Sequence, residues 1–139
     1  ISRDAIAIAQ INADKLDISN IEFIVGDWLK PVTDFQFDLI VSNPPYVASD
    51  DPHLTELRHE PKWALDAGED GLSAVRKIVF GARNVIKYGG HLILEHGAGQ
   101  ADDITNLYRA NNWTNITGIK DYAGLPRVTV ANYNGSNTT

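Results

Sequence analysis

Asn43-Pro44-Pro45-Tyr46 is the stretch whose residue types and spacing most directly offer chemistry. The Asn43 side chain carries a carbonyl oxygen, and the main-chain carbonyl of Pro44 is a second acceptor one residue on. Each proline fixes φ at about −65° and pushes the residue before it toward extended backbone. Two oxygens are thereby presented at a fixed separation beside the ring of Tyr46, so little entropy is lost when they grip a ligand. The quartet directly follows Phe37-Asp38-Leu39-Ile40-Val41-Ser42, an apolar run that reads as a buried strand. Proline has no N–H to give to a sheet, so the strand ends abruptly there. In open α/β sheets, the carboxyl ends of strands are where ligands bind. The plainer reading of the quartet is a rigid strand-to-loop turn with no ligand.

Asp27-Trp28 is a second pair of this kind. It follows Ile21-Glu22-Phe23-Ile24-Val25, which reads as a strand closed by Gly26. A carboxylate there can accept from an amino group, and an indole can pack on a flat ring. An N-cap-like Asp and a core Trp are the structural alternative. Glu95-His96-Gly97 also ends a strand, where His96 reads as a buried, hydrogen-bonded imidazole. His53, His59 and Glu60-Pro61 fall on a long loop, with the two histidines read as surface groups and Glu60-Pro61 as a shaper of that loop. Arg127 can pair with an acidic neighbour as readily as touch a substrate. The four histidines show no metal-ligand spacing, so no metal site is expected.

The elements that must position these residues follow from periodicity. Ser2 can cap a helix in which Ile6, Ala9, Ala13 and Leu16 keep helical spacing, ending before Ser19-Asn20. From Val47 to Gly71 the chain is loop-like and long enough to suggest a functional lid, with a short helix possible near His53–Arg58. Leu72, Val75, Val79, Ala82 and Ile86 form an apolar helical stripe, which Tyr88-Gly89-Gly90 should end. His91–Glu95 is the next strand, and a helix from about Gln100 to Ala110 follows with Ile104 and Leu107 inward. Trp113–Ile119 and Arg127–Tyr133 read as two closing strands, with Val128 and Val130 on one face. Strands alternating with helices predict an α/β fold with a largely parallel sheet.

Composition narrows the class. The 139 residues make one domain or part of one, with 43% apolar residues to supply a core. No apolar stretch is long enough to span a membrane, and the first residues have no signal-peptide pattern. The absence of cysteine excludes disulfides and thiolate metal sites and fits a cytoplasmic protein. Eighteen acidic residues against 12 basic ones give a net charge of −6, with no Lys/Arg cluster. That balance argues against a nucleic-acid partner.

The quartet resembles the Asn-Pro-Pro-Tyr signature of S-adenosylmethionine-dependent methyltransferases that act on a planar amino nitrogen. With Asp51-Pro52-His53-Leu54, Glu60-Pro61, Ala64-Leu65, Asp70-Gly71-Leu72, Leu94-Glu95-His96-Gly97 and Arg127-Val128, the chain up to about Tyr133 is similar to the HemK/PrmC family of protein-glutamine N5-methyltransferases. The resemblance implies a Rossmann-like class I methyltransferase fold, mostly parallel with an antiparallel last strand, and S-adenosyl-L-methionine as cofactor. It implies peptide chain release factors as protein partners, with no direct nucleic acid and no membrane. It places Asn43, Pro44, Pro45 and Tyr46 on the substrate glutamine, Asn43 and Pro44 as its catalytic acceptors, and Asp27, Trp28 and Asn43 on the cofactor.

It also implies that two central strands and a Gly-rich turn would precede Ile1. Residues 1–133 would then be the C-terminal part of a catalytic domain, inactive alone, with 134–139 a polar tail. The first two strands would lie between Ile21–Val25 and Phe37–Ser42. The competing readings are a nucleic-acid amino-methyltransferase acting on adenine N6 or guanine N2, and an inactive fragment that only binds a partner.

Overall fold

A computed structural model of the chain describes residues 2–46, 68 and 70–135. The expected lid from Val47 to Gly71 lies outside the described residues except for Gly68, Asp70 and Gly71. So do the helix near His53–Arg58, the two loop histidines and Glu60-Pro61. The chain divides into two compact units, Ile1–Thr33 and Asp34–Thr139.

In the first unit, helix α1 spans Arg3–Lys15. Ser2 caps it as expected, its hydroxyl accepting the Ala5 N–H at 3.2 Å, and Asp4 sits in the first turn where the helix dipole favours an anion. Ala13 is its buried residue. The strand expected at Ile21–Val25 is not formed. A strand exists by pairing, and this segment has no ladder partner among the described residues. A short 3₁₀ turn at Lys30–Val32 follows, with Pro31 supplying a helical φ.

The second unit is a four-stranded sheet in the order β1-β2-β4-β3, with β1 at Phe37–Ser42, β2 at Ile86–Glu95, β3 at Trp113–Lys120 and β4 at Pro126–Tyr133. β1 and β2 are parallel, while β4 runs antiparallel to both β2 and β3. The antiparallel closing strand is as expected. Helices α2 at Ser73–Val85 and α3 at Ala101–Ala110 pack against the sheet and each other.

Alternation along the strands decides which side is core. Leu92 and Leu94 of β2 stand beside Ala131 and Thr129 of β4, and all four are buried. They meet the stripe of α2, where Val75, Ile78, Val79 and Ala82 are buried, and Ile104 and Tyr108 of α3. Trp113 packs between Tyr108 and Tyr133, its ring centroid 5.6 Å from the former and 5.2 Å from the latter. Burial pushes the Tyr108 hydroxyl well above its ordinary pKa, so it stays protonated and donates to the Leu92 carbonyl at 3.2 Å.

Two expectations are corrected here. The helix of the apolar stripe does not run to Tyr88-Gly89-Gly90 but ends at Val85, and β2 begins at once with Ile86. Gly89, at φ +77, serves an irregularity inside the strand, where the pairing jumps from Phe37↔Ile86 to Leu39↔His91. At Gly90 a Cβ would fall 2.6 Å from Ile86 Cγ1 and 3.0 Å from the Asp38 carbonyl, so only glycine fits. Second, β1 is not buried: it is an edge strand among the described residues, with Leu39 51% and Val41 65% exposed. A strand with a neighbour on one side only keeps its other edge open.

Candidate active site

β1 ends at Ser42, which is paired with Leu94 of β2, and the quartet leaves the sheet there. Asn43 is exposed, Pro44 is buried, and Pro45 and Tyr46 are half-buried. This places the two expected acceptor groups at the carboxyl end of a parallel strand, next to the carboxyl end of β2. The Tyr46 ring lies over Gly97, since a Cβ added at Gly97 would come 3.6 Å from Tyr46 Cδ2.

Tyr46 also walls an open cleft of about 630 Å³ with Glu95, Lys120, Asp121, Tyr122 and Arg127. The structure thus brings Arg127 and Glu95 to the same cleft as Tyr46. Arg127 Nε donates to Asp121 Oδ2 at 3.2 Å, with both side chains partly exposed. Asp121 builds the β3–β4 turn: its Oδ1 accepts the N–H groups of Ala123 and Leu125, each at 2.9 Å. The Leu125 amide first, and then the Arg127 guanidinium, hold its carboxyl below the ordinary carboxylate range.

His96 is fully buried and hydrogen-bonded, as its place at a strand end predicts. Its Nδ1 lies 2.9 Å from the Gly97 carbonyl and its Nε2 lies 2.9 Å from the Thr129 hydroxyl. A carbonyl can only accept, so Nδ1 carries the hydrogen and Nε2 accepts from Thr129. The ring is occupied on both sides. Among the described residues no His/Asp/Glu cluster could hold a metal.

Asp27 and Trp28 lie in the first unit, on the turn leading into the Lys30–Val32 segment. Gly26 is required there because a Cβ would overlap the Pro31 ring. Asp27 Oδ2 pairs with Lys30 Nζ at 2.5 Å. A carboxylate has further lone pairs, so this ion pair is compatible with accepting from a ligand amino group. Trp28 sits half-buried at φ +53, a backbone conformation that bulky residues seldom adopt. Such local strain clusters at ligand sites.

Sequence reasoning gave no site role to Gln100 and Thr129, which fix the quartet's surroundings with Gly71, a residue it read only as part of the loop's end and of the family motifs. Gln100 had a local signal: a Gln three residues after Gly97 at a helix start can reach back to the N–H of the first residue. It does so here at 3.0 Å.

The strand order, the antiparallel β4 and the quartet at the carboxyl end of β1 fit a class I methyltransferase fold. Residues 1–122 match the family described as methyltransferase domain, and the chain belongs to that family. It is similar to the release factor glutamine methyltransferase of Coxiella burnetii (strain RSA 493 / Nine Mile phase I), at 44% identity over 130 residues, covering 94% of this chain and 47% of that protein.

Two solved structures share the fold. One is a methyltransferase from Pyrococcus furiosus (TM-score 0.70, 18% identity, covering 98% of this chain and 60% of that one). The other is the E. cuniculi Mtq2-Trm112 complex responsible for methylation of the eRF1 translation termination factor (TM-score 0.53, 19% identity, covering 88% of this chain and 68% of that one). The chain spans about half the length of the curated relatives it matches.

Proposed function

We propose that this chain carries the acceptor side of a glutamine N5-methyltransferase whose substrate is the Gly-Gly-Gln loop of peptide chain release factors. The carrying observation is the Asn43-Pro44-Pro45-Tyr46 quartet at the carboxyl end of β1. The relatives that span nearly the whole chain and are named release factor glutamine methyltransferases support the substrate. On this reading residues 1–133 are part of one catalytic domain and 134–139 a polar tail.

A glutamine amide is a poor nucleophile because its nitrogen lone pair is delocalised into its carbonyl. Asn43 Oδ1 and the Pro44 carbonyl accept the two N–H bonds, which orients the nitrogen and raises its electron density. The prolines fix the backbone that carries both groups, so the Pro44 carbonyl and the Asn43 oxygen stabilise the positive charge developing on nitrogen with little backbone reorganisation. Tyr46 walls the slot for the flat amide, and a π face is also favourable beside a cationic methyl. The proton then leaves to water, so no strong base is required. S-adenosylmethionine, when bound, supplies an electrophilic methyl group on a sulfonium. Asp27 and Trp28 would hold its adenine, Asp27 accepting from the amino group and Trp28 packing on the ring, and Asn43 would also lie near the donor.

The cleft beside Tyr46 carries Glu95 and Asp121 against Lys120 and Arg127, a balanced set suited to a peptide rather than to phosphates. Among the described residues no helix is long and apolar enough to cross a membrane. A release-factor substrate supports a cytoplasmic site of action on this reading.

The test offers labelled S-adenosylmethionine to the full-length protein with a release factor, its Gln→Ala variant, DNA and RNA. Label is expected only on the intact release factor. Label on DNA or RNA would replace this reading with a nucleic-acid amino-methyltransferase.

A further inference from the structure

The side-chain amide of Gln100 ties three separate stretches of chain together. Its Oε1 accepts the Gly97 N–H at 3.0 Å, while its Nε2 donates to the carbonyls of Tyr46 at 3.0 Å and of Gly71 at 3.2 Å. Both glycines make room for it. Gly71 sits at φ +71, and a Cβ there would fall 2.7 Å from Gln100 Nε2 and 2.7 Å from the Tyr46 carbonyl oxygen. At Gly97 a Cβ would lie 3.1 Å from Gln100 Oε1.

Gln100 is itself held. Its main-chain N–H donates to the Gly97 carbonyl at 3.0 Å, and the same carbonyl takes the Nδ1–H of His96 at 2.9 Å. The His96 ring is fixed in turn by Thr129 of β4. A continuous line of hydrogen bonds therefore runs from a core strand to the last residue of the quartet.

The prolines stiffen the quartet internally, but a stiff rod anchored at one end still pivots about that end. Its first anchor is β1, through Ser42 paired with Leu94. Its second is the Tyr46 carbonyl. We propose that Gln100 is a positioning residue for the acceptor site: its Nε2 fixes the Tyr46 end of the quartet, and so sets where Asn43 and Pro44 present their oxygens. This rests on the reading of the quartet as the grip on the substrate amide. Misplacing a reacting group by about 1 Å can cost about 10²-fold in rate, so a second anchor matters to turnover more than to binding.

Two variants of the full-length protein test it. Gln100→Glu keeps an oxygen for the Gly97 N–H but loses both donors. Gln100→Ala loses the donors and the acceptor. In both, kcat on the release factor is expected to fall about 10- to 100-fold, with KM and donor affinity within about threefold. The ¹⁵N order parameter of the Tyr46 amide is expected to drop from about 0.85, the rigid-backbone value, toward about 0.6.

Wild-type kcat in either folded variant, or an unchanged order parameter at Tyr46, overturns the proposal. A variant that loses thermal stability while its folded fraction keeps wild-type kcat shows a purely structural role, and overturns it too. If the wild type transfers no methyl to release factors, the substrate reading falls, and the Tyr46 order parameter still decides the anchoring.

Discussion

Nε2 of His96 stands 2.9 Å from the hydroxyl of Thr129, and both side chains are buried. With its Nδ1–H given to the Gly97 carbonyl, the imidazole is satisfied only while Thr129 supplies a donor. Thr129→Val keeps the shape and removes that donor. An unsatisfied buried acceptor costs about 1–3 kcal/mol, so urea unfolding of the full-length variant should show a loss of that size. Thr129→Ser should recover most of it. A valine variant as stable as the wild type would mean that Nε2 finds another partner.

Asn43 is expected to act on turnover rather than on folding, because it is exposed and follows the end of its strand. Asn43→Ala should lower kcat about 10²- to 10³-fold, the usual loss when one preorganised polar group facing developing charge is removed. Donor affinity, read by calorimetry, should fall much less. Turnover near the wild-type level would remove the role assigned to the Asn43 oxygen.

Gly71 and Gly124 make a paired comparison. Both have positive φ, +71 and +81, but the space around Gly124 is open while a Cβ at Gly71 meets Gln100 and Tyr46. Alanine at either position bears the left-handed backbone cost of about 1–3 kcal/mol. Only Gly71→Ala should add a clash, lose more stability than Gly124→Ala in the same unfolding assay, and displace the Gln100 amide. Equal losses would mean that the neighbouring groups yield freely.

Asp70 gives the acid dependence. Its carboxylate pairs with Arg76 and accepts the Leu72 N–H at 3.1 Å, and the Arg76 hydrogen bond leads in pulling its pKa from 3.8 down to about 2. The folded pKa lies below the unfolded one, so the stabilisation is fully present above pH 4. It is lost as pH falls from about 4 to about 2. Asp70→Asn should therefore be less stable than the wild type at pH 7, and the gap should close as pH approaches 2. High salt should narrow it as well, because the pair is exposed. A gap independent of pH would assign the effect to the turn geometry and not to the charge.

Several elements were legible because short-range rules decide them. Ser2 before Arg3-Asp4 caps a helix through a bond to the third residue on. The spacing of Val75, Val79 and Ala82 makes one helix face apolar, and that face is the buried one. Two prolines after an apolar run end β1 at Ser42. Gly89-Gly90 misled for the same reason, since a glycine pair after a helical stripe reads as a cap. What placed it in a strand was pairing of β2 with β1, residues far away in sequence.

The sequence by itself determined an α/β chain, the helix of the apolar stripe and the rigid quartet, because proline geometry and helical periodicity act within a few residues, and its motifs carried the resemblance to methyltransferases. Tertiary structure alone decided that β4 inserts between β2 and β3, that Ile21–Val25 forms no ladder, and that Gln100 reaches Tyr46 across 54 positions of sequence. Those outcomes depend on which distant backbone groups satisfy one another once the core has closed, and no local pattern records that.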